Sequence, residues 1–287
     1  MSNHLHLVVY VDPSISQGWS DREVLERWYR VFPHQLRMAT EGNGSAEVFF
    51  TKKLEDKEFI QTVRNRLGEI SWLMRCLNEH IARKANREDG CSGRFWEGRF
   101  KCQRLCDPGA VLTCMAYVDL NPVRAGLADS PEASEFTSAC ERIQSEQASH
   151  KLEQINQSDV LTAVQMGFVE ETRQAIGRAE WLMDFERMKA NKHLPFVGLT
   201  DYLELLDQTG RIIRSDKKGP INEALQPILR RLDLDVDEWV ENVQRYGSLF
   251  YQLSGKAESL VAHAHRIGQK FCCGLKGAGV LYARRTC

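Results

Sequence analysis

Residues 4–11, HLHLVVYV, constrain the fold of this chain more than any other segment. β-Branched and aromatic residues dominate, as in a pleated strand. The period of two puts His4, His6, Val8 and Tyr10 on one face and Leu5, Leu7, Val9 and Val11 on the other. Asp12-Pro13 ends the run. The segment therefore reads as a strand.

The rest of the chain reads mainly as helix. Patterns of helical period occur around residues 21–31 and from 56 to about 84, where Phe59, Val63, Leu67, Ile70, Met74, Leu77 and Ile81 recur on one face. Cys91-Ser92-Gly93 is a turn, and residues 94–105 (RFWEGRFKCQRL) alternate like a strand or ribbon. Asp107-Pro108 is an N-cap followed by a first-turn proline. That helix should run through Tyr117 until Pro122 closes it or opens a short second helix. Residues 143–159 are rich in Gln, Ser, Glu and Asn and read as a linker or exposed helix; a helix from about 161 to 188 follows. The remainder is a small helical lobe. Within it, residues 221–232 and 236–246 have the spacing of a helix-turn-helix, and equally of a plain α-hairpin. The expected division is 1–130, a connector over 131–195, and a lobe over 196–287.

Thirty-eight basic and 39 acidic side chains nearly cancel, but not locally. Between residues 75 and 104 stand Arg75, Arg83, Lys84, Arg87, Arg94, Arg99, Lys101 and Arg104 against Glu79, Glu88, Asp89 and Glu97. From Tyr251 onward stand Lys256, Arg266, Lys270, Lys276, Arg284 and Arg285, with Glu258 the only acid. Such patches suit a polyanion, although a charge run also serves as a plain solvated face. No apolar run approaches the roughly 18 residues of a membrane span. No basic segment precedes the apolar run at 5–11, so no secretory signal is expected. The nine cysteines form no CxxC pair, and the expectation is a cytoplasmic protein with reduced thiols.

Three blocks carry candidate chemistry. On a strand, His4 and His6 project from one face and can grip one metal ion, although an edge strand also tolerates such a pair. His263 and His265 lie in a helical stretch, about 200° apart around the axis, and are badly placed to chelate. Tyr117 and Asn121, four apart, share a helix face. Taken singly, they also fit a core aromatic and a helix-ending turn.

Together MSNHLHLVV, RFWEGRFK and YVDLNPVRAGL resemble the three signature blocks of REP-associated tyrosine transposases, relatives of the single-tyrosine HUH transposases of insertion sequences. The resemblance covers residues 1 to about 130, with the blocks in the family's order. It implies an α+β, ferredoxin-like (RRM-like) antiparallel sheet with the histidine strand central, the tyrosine helix packed across it, and an α-helical C-terminal lobe. Here Met1 takes the place of a methionine that is internal in the family. The chain is therefore expected either to lack the first strand and helix of that sheet or to have its start assigned too late. His4, His6 and Asn121 would bind a divalent metal, Mg2+ or Mn2+, and Tyr117 would be the nucleophile. The implied substrate is single-stranded DNA folded into REP-like hairpins, cut and rejoined through a 5′-phosphotyrosine, with the protein a monomer or homodimer. A metal would polarise the phosphoryl oxygen, and a phenol of ordinary pKa ~10 must lose its proton near it. Arg94, Arg99, Lys101 and Arg104 would neutralise phosphates and Trp96 would stack on a base. Arg124 is a phosphate contact or a helix-end cation.

Two other readings compete. One is a non-catalytic DNA-binding relic that keeps the basic ribbon. The other is an amidohydrolase-type metallohydrolase, which needs a repeated β/α pattern. His34, His80, His150 and His193 fall instead in helical or linker stretches.

Overall fold

The structure, a computed structural model, describes residues 5–41, 45–157, 167–215 and 221–282. His4, the beginning of the helix expected from residue 161, and Arg284 and Arg285 lie outside the described residues. The chain forms two compact units, Val9–Lys101 and Met1–Val8 with Cys102–Cys287.

The Val9–Lys101 unit holds α1 (Pro13–Gln17), α2 (Asp21–Val31), α3 (Pro33–Thr40), α4 (Ala46–Lys53), α5 (Lys57–Leu67) and α6 (Ile70–Glu88). A capping box starts α2. The Ser20 hydroxyl accepts from the Glu23 N–H, and the Glu23 carboxylate accepts from the Ser20 N–H at 2.9 Å. Val24, Leu25, Trp28 and Tyr29 then fall on one face and pack with Phe50, Ile60 and Val63. The single helical pattern from 56 to 84 resolves into α5 and α6, interrupted at Gly68 and Glu69. Arg64 turns into this unit and donates to the carbonyls of Ser16 and Trp19 and to the Asp21 carboxylate.

The other unit holds β1 (Arg104–Leu105), α7 (Pro108–Asp119), α8 (Asn121–Arg124), α9 (Ser138–Gln157), α10 (Phe168–Gly177), α11 (Phe185–Lys189), α12 (Leu199–Ser215), α13 (Gln226–Arg231), α14 (Trp239–Leu249), β2 (Leu253–Ser254), α15 (Ala257–Arg266) and α16 (Leu275–Leu281). Leu112, Ala116 and Leu120 share a core with Tyr202, Leu205 and Leu206 of α12 and Trp239, Val243 and Tyr246 of α14. Buried Trp239 satisfies its indole N–H on the Thr209 hydroxyl at 2.9 Å. As its Asp-Pro start predicts, α7 is capped by Asp107, whose Oδ1 accepts from the Ala110 N–H at 3.0 Å.

The expected α+β ferredoxin-like antiparallel sheet is not what this chain forms. Among the described residues the strands are β1 and β2, two residues each, paired in parallel with Arg104 opposite Leu253 and Leu105 opposite Ser254. Helices dominate instead. From Leu5 to Val11 the backbone joins no ladder, and Leu5, Leu7, Val8, Val9, Tyr10 and Val11 are each 39–46% exposed. The reason is physical. A period of two describes side-chain direction, whereas a sheet also needs a partner in register. Helices close their backbone hydrogen bonds within themselves, and the capped amphipathic segments that follow take that route.

Candidate functional site

Tyr117 sits near the end of α7, half-buried, in an aromatic and cationic nest. Its ring lies 5.6 Å from that of Tyr246 and 6.1 Å, edge-on, from that of His6. The Arg124 guanidinium stands 4.1 Å over the Tyr117 ring and donates to the Tyr117 carbonyl at 3.3 Å. The phenol oxygen abuts the backbone of α14, where a Cβ placed on Gly247 would come within 2.7 Å of it. These are the surroundings of a packed aromatic post. Asn121 does not continue the helix of Tyr117. Leu120 interrupts α7, and Asn121 opens α8 with its carbonyl accepting from the Ala125 N–H.

Asp119, two residues beyond Tyr117, was not singled out by its sequence context, yet it is among the most buried charges in the chain. It accepts from the Ser138 hydroxyl at 2.8 Å, from the Ala139 N–H at 3.2 Å and from the Tyr202 hydroxyl at 2.6 Å. Desolvation raises its pKa, against the pull of these donors and of the Arg142 cation. Asp107 has a similar role, accepting from the Tyr282 hydroxyl at 2.5 Å and the Lys256 N–H at 2.6 Å. Both carboxylates join elements distant in sequence. The one visible signal was the Asp-Pro cap at 107.

The basic segment lies in the Val9–Lys101 unit as far as Lys101. Trp96 donates its indole N–H to the Asn78 carbonyl of α6 at 2.9 Å, and the Asn86 amide donates to the Gly93 carbonyl at 3.0 Å. Residues 93–96 therefore lie along α6. Arg94 donates back to the Trp96 carbonyl at 2.9 Å. Phe95 meets Trp96 perpendicularly at 4.9 Å and stays 42% exposed, and Arg94, Arg99 and Lys101 of the same segment are exposed. On the same helix, Trp72 takes the guanidinium of Arg66 at 4.3 Å and that of Arg75 at 4.8 Å. The three-residue spacing of Trp72 and Arg75 was a readable signal for that pairing. Arg104 and Arg124 belong to the other unit.

A scan against protein-family models and searches of the curated proteins and of the solved structures return no match to the chain. Among the described residues, no group of three or more His, Cys, Asp or Glu side chains is placed to hold a metal ion. Nor is there an antiparallel sheet to carry the histidine pair. The resemblance to REP-associated tyrosine transposases is corrected on these grounds. With it go strand cleavage and transfer, the assignment as an HUH endonuclease with a tyrosine nucleophile, and the description as a metal-binding enzyme. Among the described residues no helix is long and apolar enough to cross a membrane.

Proposed function

We propose that this chain binds single-stranded nucleic acid, DNA hairpins with unpaired bases included, on the face that α6 and residues 93–101 form together. The observation that supports this reading is the pinning of Trp96 to α6, with Phe95 and Arg94 beside it and Arg99 and Lys101 exposed in the same segment. Guanidinium and ammonium groups neutralise phosphates and release their counterions. An exposed ring offers a base a stacking face whatever the base is. In this reading Trp96 is a positioning residue: its edge is spent on the Asn78 carbonyl, and it holds Phe95 outward as the stacking surface. Arg83 and Lys84 contribute less, since Glu79 and Glu88 already pair with them.

Fluorescence anisotropy with a labelled DNA hairpin carrying an unpaired flank tests the proposal. The double substitution Arg99→Ala with Lys101→Ala is expected to weaken binding about tenfold at moderate salt, with the helical circular dichroism intact. Equal affinity for the variant and the parent chain would contradict it.

A further inference from the structure

We infer that the β1–β2 end of the other unit is a second surface for single-stranded nucleic acid, with Tyr251 and Phe271 as stacking residues and Arg104, Arg266 and Lys270 as phosphate contacts. Tyr251 is 76% exposed and Phe271 is 87% exposed, although this unit buries a large aromatic core. The two rings are carried by segments that run against each other. A Cβ on Gly274 would come within 2.8 Å of the Leu253 carbonyl oxygen, and one on Gly277 within 2.6 Å of that of Leu249. Arg104 joins them through β1, its N–H bonded to the Gln252 carbonyl at 2.8 Å. Arg266 lies 2.8 Å from Nδ1 of buried His263. Desolvation, then the charges of Arg104 and Arg266, hold the His263 pKa down.

Two acids of this unit are engaged by its own side chains. Asp107 accepts from Tyr282 and from the Lys256 N–H, and Asp233 pairs with the Lys256 ammonium. Glu258 is the one remaining acid between residues 251 and 282. Exposed aromatic rings in a segment where cations outnumber acids fit a polyanion with flat, unstacked bases.

The test uses the full chain and a fluorescein-labelled (dT)20 oligonucleotide, with a 5-iodouracil version for photocrosslinking. Tyr251→Ala with Phe271→Ala is expected to weaken binding about tenfold or more without altering the thermal melt. Crosslinked peptides from the parent chain should contain Tyr251 or Phe271. If this pair binds as the parent does while Arg99→Ala with Lys101→Ala loses affinity, the second surface is overturned and the first stands. The opposite pattern keeps this surface and overturns the first. No binding by the parent chain overturns both. Polyglutamate that displaces (dT)20 at equal charge concentration, and is itself lost in the aromatic double variant, would make the partner an acidic polypeptide and overturn this inference.

Discussion

Tyr117 and Gly247 show how one side chain is committed by another position's lack of one. A methyl group at Gly247 would meet the Tyr117 hydroxyl at 2.7 Å and its Cζ at 3.2 Å, while Tyr246, His6 and Arg124 surround the ring. Alanine in a helix interior gains about 1 kcal/mol over glycine, but overpacking costs about 1–3 kcal/mol. Gly247→Ala is therefore expected to lower the urea midpoint, and adding Tyr117→Phe should recover part of the loss. Asp119 makes a pH prediction. Folding raises its pKa, so above the ordinary value of 3.8 the folded state holds the proton more tightly than the unfolded chain does. Stability from this group is fully present below that value and falls as pH rises through the raised one. Subtracting urea midpoints of Asp119→Asn from those of the parent across pH 3.5–7 should give a difference that declines with pH; a flat difference would remove the account of Asp119. Neither role was legible in the sequence. Tyr117 carried a strong motif signal for a different task, and the Asp119 partners lie as far away as Tyr202, beyond any local pattern.

At the scale of elements, the start of α7 was legible because its Asp-Pro cap is local. The Ser20–Glu23 box, Asp56 and Asp107-Pro108 each satisfy backbone donors within three residues. Sheet formation was not, because it depends on a partner. The alternation of residues 5–11 specified the side-chain directions of a strand but not what would pair with it, and the segment joins no ladder. A related dependence governs α1 and α2, whose junction is held from outside by Arg64. Its guanidinium reaches two carbonyls and the Asp21 carboxylate, and truncation removes the donor to both carbonyls while Asp21 keeps its ion pair with Lys57. Arg64→Ala is expected to cost roughly 3 kcal/mol in the Val9–Lys101 unit. Tryptophan fluorescence during urea unfolding reports it, since Trp19, Trp28, Trp72 and Trp96 all lie in that unit. An unchanged midpoint would mean that the junction is held by packing alone.

For the whole molecule, a net charge of −1 conceals two basic regions, one in each compact unit. Their cations were readable along the chain, and so were the aromatic residues among them. Which of those rings are bare was not, because exposure is decided by the packing of elements far apart in sequence. Phe95 stands out beside a pinned Trp96, and Tyr251 and Phe271 stand out beside a well-filled core. The proposed activity is phosphate neutralisation joined to base stacking on a single strand. The most direct measurement is the affinity for a single-stranded oligonucleotide across a range of salt concentrations. With Arg94, Arg99 and Lys101 each contacting a phosphate on the first surface, log K against log[salt] should fall with a slope of about −2, at roughly −0.7 per contact. An affinity indifferent to salt, or no binding even at low salt, would contradict the account.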